Sequence, residues 1–341
     1  MTNGESNGRT RGYNLAARTG RMCGDEPHAR SGGAKPRLNM VIALAVLFLC
    51  VTAFSQTQSQ TRDQLLQDIG SGQLKEAIVL GQQAVSRWPR DPQFRHYLGV
   101  AYFKTGDLKQ AEDQLARARD LDGKDASTRF DLALVFLSQD DYVKAAVELE
   151  ASNKLNPSNA LGHILLGRAY LNSNRSLQAI DEFKTALKLD PSVRLGHYHL
   201  GFAYASLGRD EEAIAEYKEE LRRSGESQAV VYELGRSLLE RGQFDAAISS
   251  LQRASQLDAS NPDVWYNLGK AQLAAGQGAP AEISLRKAIE LKPTDPSPHY
   301  QLARALEKLG KAEDARAERE RFAELKKAQR PTAGMATGRD Q

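Results

Sequence analysis

An alanine stands at every thirty-fourth residue between Ala77 and Ala315, at Ala77, Ala111, Ala145, Ala179, Ala213, Ala247, Ala281 and Ala315. The register never slips. A fixed period of this length is the mark of a repeat array, in which each unit buries its apolar surface against its neighbours. A chain built this way has no single enclosed core in which to assemble a deep catalytic pocket. It presents an extended surface.

With Pro92 as position 1, other columns emerge. Position 7 holds Leu98, Leu132, Leu166, Leu200, Leu234, Leu268 and Leu302, and position 8 holds Gly or Ala in every repeat. Position 11 is mostly large and apolar, as at Tyr102, Phe136, Tyr170 and Tyr204, with Gln272 the exception. Position 15 is Gly106, Asp140, Asn174, Gly208, Gly242, Gly276 and Gly310. Position 24 is Leu115, Leu149, Phe183, Tyr217, Leu251 and Leu285. Positions 7, 8 and 11 share one face of a helix. Gly, Asn and Asp at position 15 end that helix, because they tolerate a left-handed residue. A second helix then carries a small residue at 20 and a large one at 24. Small residues at 8 and 20 predict close approach of two antiparallel helices, with the large side chains filling the space beside them. Proline at position 32 (Pro157, Pro191, Pro293) stops the second helix. Asp91-Pro92, Asn261-Pro262 and Asp295-Pro296 restart the next, with an N-cap side chain followed by proline in the first turn.

Leu-Gly-x-x-Tyr, followed by Gly, Ala, an aromatic or Leu, Ala and Pro, resembles the tetratricopeptide repeat family. Leu166, Gly167, Tyr170, Ala179, Phe183, Ala186 and Pro191 match almost every position of the family pattern. The resemblance covers residues 92–329 as seven repeats: 92–125, 126–159, 160–193, 194–227, 228–261, 262–295 and 296–329. Residues 58–91 form a degenerate first repeat that keeps Gly72, Ala77, Ala84 and Pro89. It implies an all-α fold, a right-handed α-solenoid of helix-turn-helix repeats. The last pair is heavily charged and carries Arg319 at position 24, which suits a solvated end cap. Repeat 194–227 departs from the pattern. Glu220 replaces the small residue at 27, Arg223 the Leu at 30 and Gly225 the Pro at 32; these changes read either as local surface adaptation or as a softer joint before residue 228.

Catalytic signatures are missing from the sequence. There is no phosphate-binding glycine loop, no His-Glu-x-x-His and no Gly-x-Ser-x-Gly. His163, His197 and His299 all fall at position 4, where Trp265 stands in another repeat, and read as semi-polar packing. His197 and His199 are two apart on a helix and point different ways, a poor chelate. The expectation is a chain that is not an enzyme and uses no cofactor and no metal.

The family resemblance implies that the first helix of each pair lines a concave groove, chiefly through positions 2, 5, 6, 9, 12 and 13. Position 5 then supplies His96, Phe130, Ile164, Tyr198, Tyr232, Tyr266 and Tyr300. Position 9 supplies Val100, Leu134, Arg168, Phe202, Arg236, Lys270 and Arg304. Two zones result. An apolar floor includes Phe103, Phe130, Leu134, Leu137, Ile164 and Leu171, and a tyrosine ladder follows beside Arg236, Lys270 and Arg304. Tyrosine offers flat apolar area with a polar tip, and arginine holds carboxylates with two parallel hydrogen bonds. The pattern suits an extended, partly acidic peptide, with a hydrophobic or helical segment over the apolar zone. The two-carboxylate clamp of the chaperone-binding relatives needs Lys at position 5 with Asn at position 9, and no repeat here has that pair.

The N-terminus speaks to location. Residues 1–39 carry seven Lys or Arg against three acids and read as disordered. Met40–Phe54 is free of charge, follows Lys35 and Arg37, and gives way to a polar stretch. This resembles a secretory signal cleaved after Ser55, placing the array in the periplasm or outside the cell. The alternative is an uncleaved membrane tether through residues 40–54, although fifteen residues fall short of the roughly twenty of a spanning helix. The unusually long leader leaves Met1, Met22 and Met40 as candidate translation starts. Cys23 and Cys50 both lie before the array, which therefore has no disulfide framework and no cysteine metal site. The net charge of +3 comprises +4 from residues 1–39 and +1 from the tail 330–341, leaving −2 for the rest. The array thus lacks the basic footprint of a nucleic-acid binder. The expected partner is a protein or peptide, with self-assembly, glycan binding or service as an accessory subunit of an envelope enzyme as alternatives.

Overall fold

The computed structural model describes residues 57–329. The chain divides into two compact units, residues 1–60 and 61–341. Of the first, only 57–60 is described, and it is helical. The leader, the apolar segment 40–54 and the tail 330–341 lie outside the described residues.

The second unit is a succession of helices, and among the described residues no strand occurs. After α1 (61–71) and α2 (Leu74–Arg87), first and second helices alternate. The first helices are α3 (Pro92–Thr105), α5 (Ala126–Ser138), α7 (Ala160–Asn172), α9 (Gly196–Ser206), α11 (Gln228–Glu240), α13 (Pro262–Ala274) and α15 (Pro296–Lys308). Their partners are α4 (Leu108–Leu121), α6 (Tyr142–Leu155), α8 (Ser176–Leu189), α10 (Asp210–Ser224), α12 (Phe244–Leu257), α14 (Gly278–Leu291) and α16 (Ala312–Ala328). From α2 onward each helix packs on the next in sequence, and successive first helices also touch, as α7 does α9. This is an all-α solenoid of helix pairs.

The punctuation is as the columns require. All seven residues at position 15 have positive φ, from 58° at Asp140 to 84° at Gly106. Asp91, Asp125, Asn159, Asn261 and Asp295 each accept a hydrogen bond from a backbone N–H of the helix they precede. Position 8 has a steric reason for glycine. A Cβ on Gly167 would lie 2.5 Å from the Phe183 ring, and one on Gly269 2.5 Å from Leu285 Cγ. The position-24 side chain of the same repeat fills the space that glycine leaves, and Leu115, Leu149, Phe183, Tyr217, Leu251 and Leu285 are all fully buried.

Position 4 contains a pairing rule that the sequence columns did not disclose. His163, His197 and His299 each hold a carboxylate oxygen 2.6 Å from Nδ1, belonging to Glu182, Glu216 and Glu318 nineteen residues on. Arg129 reaches Glu148 at 2.7 Å and Arg95 reaches Gln114 at 3.2 Å at the same spacing. Where position 4 is Val231 or Trp265, position 23 is Ser250 or Ser284. The histidines are therefore more than packing substitutes. They bridge the two helices of their own repeats.

Repeat 194–227 is irregular for a compensating reason. Its first helix starts late, at Gly196, behind Leu195 at φ 59°, and has no side-chain cap. Glu220, 3% exposed, fills the gap from the second helix: Tyr198 N donates to Oε2 at 3.2 Å, and Ser224 Oγ donates to Oε1 at 2.7 Å. The residue that breaks the small-residue rule at position 27 does the work of an N-cap. The expected soft joint at 218–228 is bonded to both neighbours. Arg223 Nη1 donates to Pro191 O at 2.7 Å, and Arg253 pairs with Glu226. The hydrophobic core also runs unbroken from Ala111 to Ala271, across that joint.

Candidate functional site

The twelve groove residues expected from the pattern fall into three environments. Ile164, at 3% exposure, belongs to the core and is not available to a ligand, which corrects its assignment to the groove floor. Phe130, Leu134, Tyr198, Tyr232, Tyr266 and Lys270 are half-buried. Arg168, Phe202, Arg236, Tyr300 and Arg304 are exposed.

Three of them meet in one open cleft. Arg168, Tyr198 and Phe202 line a space of about 370 Å³ between α7 and α9, together with Leu171, Asn172, Asn174, Ser176, His199 and Ser206. The residues come from positions 9, 12, 13, 15 and 17 of one repeat and positions 5, 6, 9 and 13 of the next. Such convergence follows from adjacent first helices lying side by side: residues one turn apart on each helix share a face. The aromatic wall is continuous, with the Tyr198 ring 6.4 Å from Phe202 and 5.3 Å from His199. His199 in turn stacks on the core residue Phe183, 5.6 Å between centroids at 17°. Burial, aided by the positive charge of Arg168, pushes the His199 pKa down to about 4, so the imidazole is neutral at physiological pH. Asn172 Nδ2 donates to Arg168 O at 2.9 Å, and Ser206 Oγ lies 3.0 Å from Ser176 Oγ.

The tyrosine ladder beyond this cleft is chemically quieter than its sequence implies. Its cations already have partners. Arg236 Nη1 lies 2.8 Å from Glu233, Lys270 Nζ 3.8 Å from Glu240, and Arg304 Nη1 donates to Gln301 at 3.0 Å. Tyr232 OH accepts from Asn267 Nδ2 at 3.1 Å, and burial raises the Tyr232 pKa to about 12. Phe130 lines a separate, smaller cleft with Asp131, Ser152 and Asn159, and Leu134 lies outside both.

A larger cleft of about 770 Å³ opens further toward the N-terminus, lined by Arg62, Asp91, His96, Tyr97, Asp122 and Asp125. Its polar groups are engaged in structural bonds. Asp91 and Asp125 cap α3 and α5, Arg62 meets Asp91 at 3.0 Å, and His96 Nε2 lies 2.6 Å from Asp131. Among the described residues no group of three or more His, Cys, Asp or Glu is arranged to hold a metal ion. Nor is any described helix long and apolar enough to cross a membrane.

His199, Asn172 and Ser206 escaped the sequence reading as site residues. They stand at positions 6 and 13, both expected groove positions, so the signal was present in the register. What distinguished them from their counterparts was the local aromatic packing, which the register does not encode.

Comparison with known proteins agrees with this architecture. Models described as tetratricopeptide repeat or TPR repeat match residues 68–128, 164–228, 235–276, 262–295 and 284–317. None of the curated proteins matches the sequence. Among solved structures, a tetratricopeptide repeat protein from Parabacteroides merdae superposes with a TM-score of 0.53 at 14% identity, over 74% of this chain and 99% of that one. The Cut9–Hcn1 hetero-tetramer of the APC/C gives 0.54 at 18% identity, over 71% of this chain and 48% of that one. MamA gives 0.46 at 26% identity, over 48% of this chain and 96% of that one. Periodic columns, left-handed position-15 residues and helix pairs matched along the array lead to one assignment: the chain belongs to the tetratricopeptide repeat family.

Proposed function

We propose that this protein is a non-catalytic interaction scaffold that binds an extended segment of a partner protein along its first helices, outside the cytoplasm. One observation carries the reading: groove positions of two adjacent repeats converge in an open, aromatic-walled cleft with a cation at its rim. Such a surface suits recognition, because aromatic side chains contribute large contact area at low entropy cost. The cleft's one imidazole is packed flat on Phe183 as part of the aromatic wall, an arrangement that favours binding. The uncharged stretch Met40–Phe54 behind Lys35 and Arg37 supports export.

The test is crosslinking in intact cells followed by mass spectrometry, comparing wild type with a Phe202→Ala/Tyr300→Ala variant. Both side chains are exposed, at 39% and 46%, so the fold is expected to persist, and circular dichroism checks it. A partner captured by wild type and lost from the folded variant supports the groove. Equal capture moves the function elsewhere, for instance to the outer faces of α6 and α8, where Val143, Val147 and Leu177 are exposed. Fractionation with N-terminal sequencing of the mature chain tests export: a start at residue 56 is expected, and an intact leader in the cytosolic fraction refutes it.

A further inference from the structure

The cleft between α7 and α9 differs from the tyrosine ladder in the state of its cation. Among the described residues the Arg168 guanidinium has no ion pair and no hydrogen bond, whereas Arg236, Lys270 and Arg304 are all engaged. No Asp or Glu lines the cleft, in an array whose described and apolar segments together carry a net charge of −2. A free fork of N–H donors beside flat aromatic faces has a complement of definite chemistry. The fork takes a carboxylate through two parallel hydrogen bonds. Tyr198 and Phe202 take an apolar or aromatic side chain, and neutral His199 extends that wall without adding charge.

Resting on the scaffold reading above, we infer that this cleft binds an Asp or Glu side chain directly flanked by an aromatic residue, within an internal stretch of the partner. Position in the array favours an internal residue over a chain terminus. The cleft joins the fourth and fifth of eight helix pairs, so the surface formed by first helices continues on both sides of it. A partner lying along that surface passes through the cleft. The carboxylate sits at Arg168, and the aromatic ring lies against Tyr198 and Phe202. The oxygens of Asn172 and Ser206, whose donors are used within the fold, line the same cleft as acceptors for the partner's backbone N–H groups.

The probes are blocked tetrapeptides titrated by calorimetry into the full chain: acetyl-Gly-Phe-Asp-Gly-amide, its Asn and Ala-for-Phe counterparts, and acetyl-Gly-Phe-Asn-Gly with a free terminal carboxylate. The Asp peptide is expected to bind about tenfold more tightly than either amide-blocked counterpart, the loss that one charged or aromatic contact represents. Arg168→Gln is expected to abolish the preference for Asp over Asn, while Arg304→Gln keeps it. The inference is overturned by equal binding of the Asp and Asn peptides, by a preference that survives Arg168→Gln, by tighter binding of the free-terminus peptide, or by no binding at all. Its failure is separable from that of the scaffold reading. Partner capture that is lost in the Phe202→Ala/Tyr300→Ala variant but unaffected by Arg168→Gln would leave the groove standing and remove the acidic–aromatic motif.

Discussion

Repeats 160–193 and 194–227 are neighbouring helix pairs built through different chemistry. The first follows the family pattern almost everywhere. Asn159 caps α7 by accepting from Gly162 N at 3.1 Å, Ala186 occupies position 27, and Pro191 ends the pair. The second has no cap residue before α9, a left-handed leucine in its place, a buried glutamate at position 27 and Gly225 at the end. Its deviations compensate one another, because Glu220 supplies from α10 the acceptor that the α8–α9 loop lacks. In a solenoid the path of each pair is imposed by contacts with both neighbours. The local bonds must be satisfied, but any residue within reach can satisfy them. The candidate cleft lies across this boundary, between a regular repeat and a compensated one.

The comparison is broken most severely through its shared core. Phe183→Ala empties the space beside Gly167 and removes the plate on which His199 stacks, and should cost about 3–5 kcal/mol in urea denaturation. Acidification distinguishes the repeats next. His199 has a folded pKa of about 4 against an ordinary value of 6.5. Between those values the unfolded chain binds a proton that the folded chain does not. Stability from this group is therefore complete above pH 6.5 and declines as pH falls toward 4, on the order of 2–3 kcal/mol. His199→Gln should flatten that decline in urea midpoints taken between pH 7 and 4.5, and an unchanged slope would remove His199 as its source.

Glu220→Ala should destabilise by about 2 kcal/mol, the scale of losing hydrogen bonds to a charged acceptor. It should also quicken amide exchange at the start of α9 and across 218–228. Slow wild-type exchange there, matching the other junctions, would reject a soft joint. The smallest change should be a gain. Tyr217 OH is buried with no hydrogen-bond partner among the described residues, whereas Phe183 fills the same position in the regular repeat with no polar atom. Tyr217→Phe is expected to stabilise by about 1 kcal/mol in thermal or urea unfolding, and a loss would indicate that the hydroxyl finds a partner in solution.

Much of the architecture was legible in the register. The thirty-four-residue spacing, the position-15 residues and the small-large pairing of positions 8 and 24 led directly to helix pairs, their ends and their closest approach. These features are local or strictly periodic, so linear order encodes them. The groove was only partly legible. Positions 5 and 9 located Arg168, Tyr198 and Phe202, but the same rule admitted Ile164, whose side chain turns into the core. It also gave Arg236, Lys270 and Arg304 the same weight as Arg168.

Charge type is written in the sequence, whereas charge availability depends on which acids the fold brings within reach. Glu233 is one turn from Arg236, but Glu240 meets Lys270 across thirty residues. The His–Glu bridges at positions 4 and 23 and the Glu220 cap likewise join residues nineteen and twenty-two apart. Periodicity determined the helices and their order, because backbone geometry and burial repeat with them. Tertiary packing decided that Lys270 meets Glu240 and which cleft stayed open, because those depend on side chains that meet only once neighbouring helices are in contact.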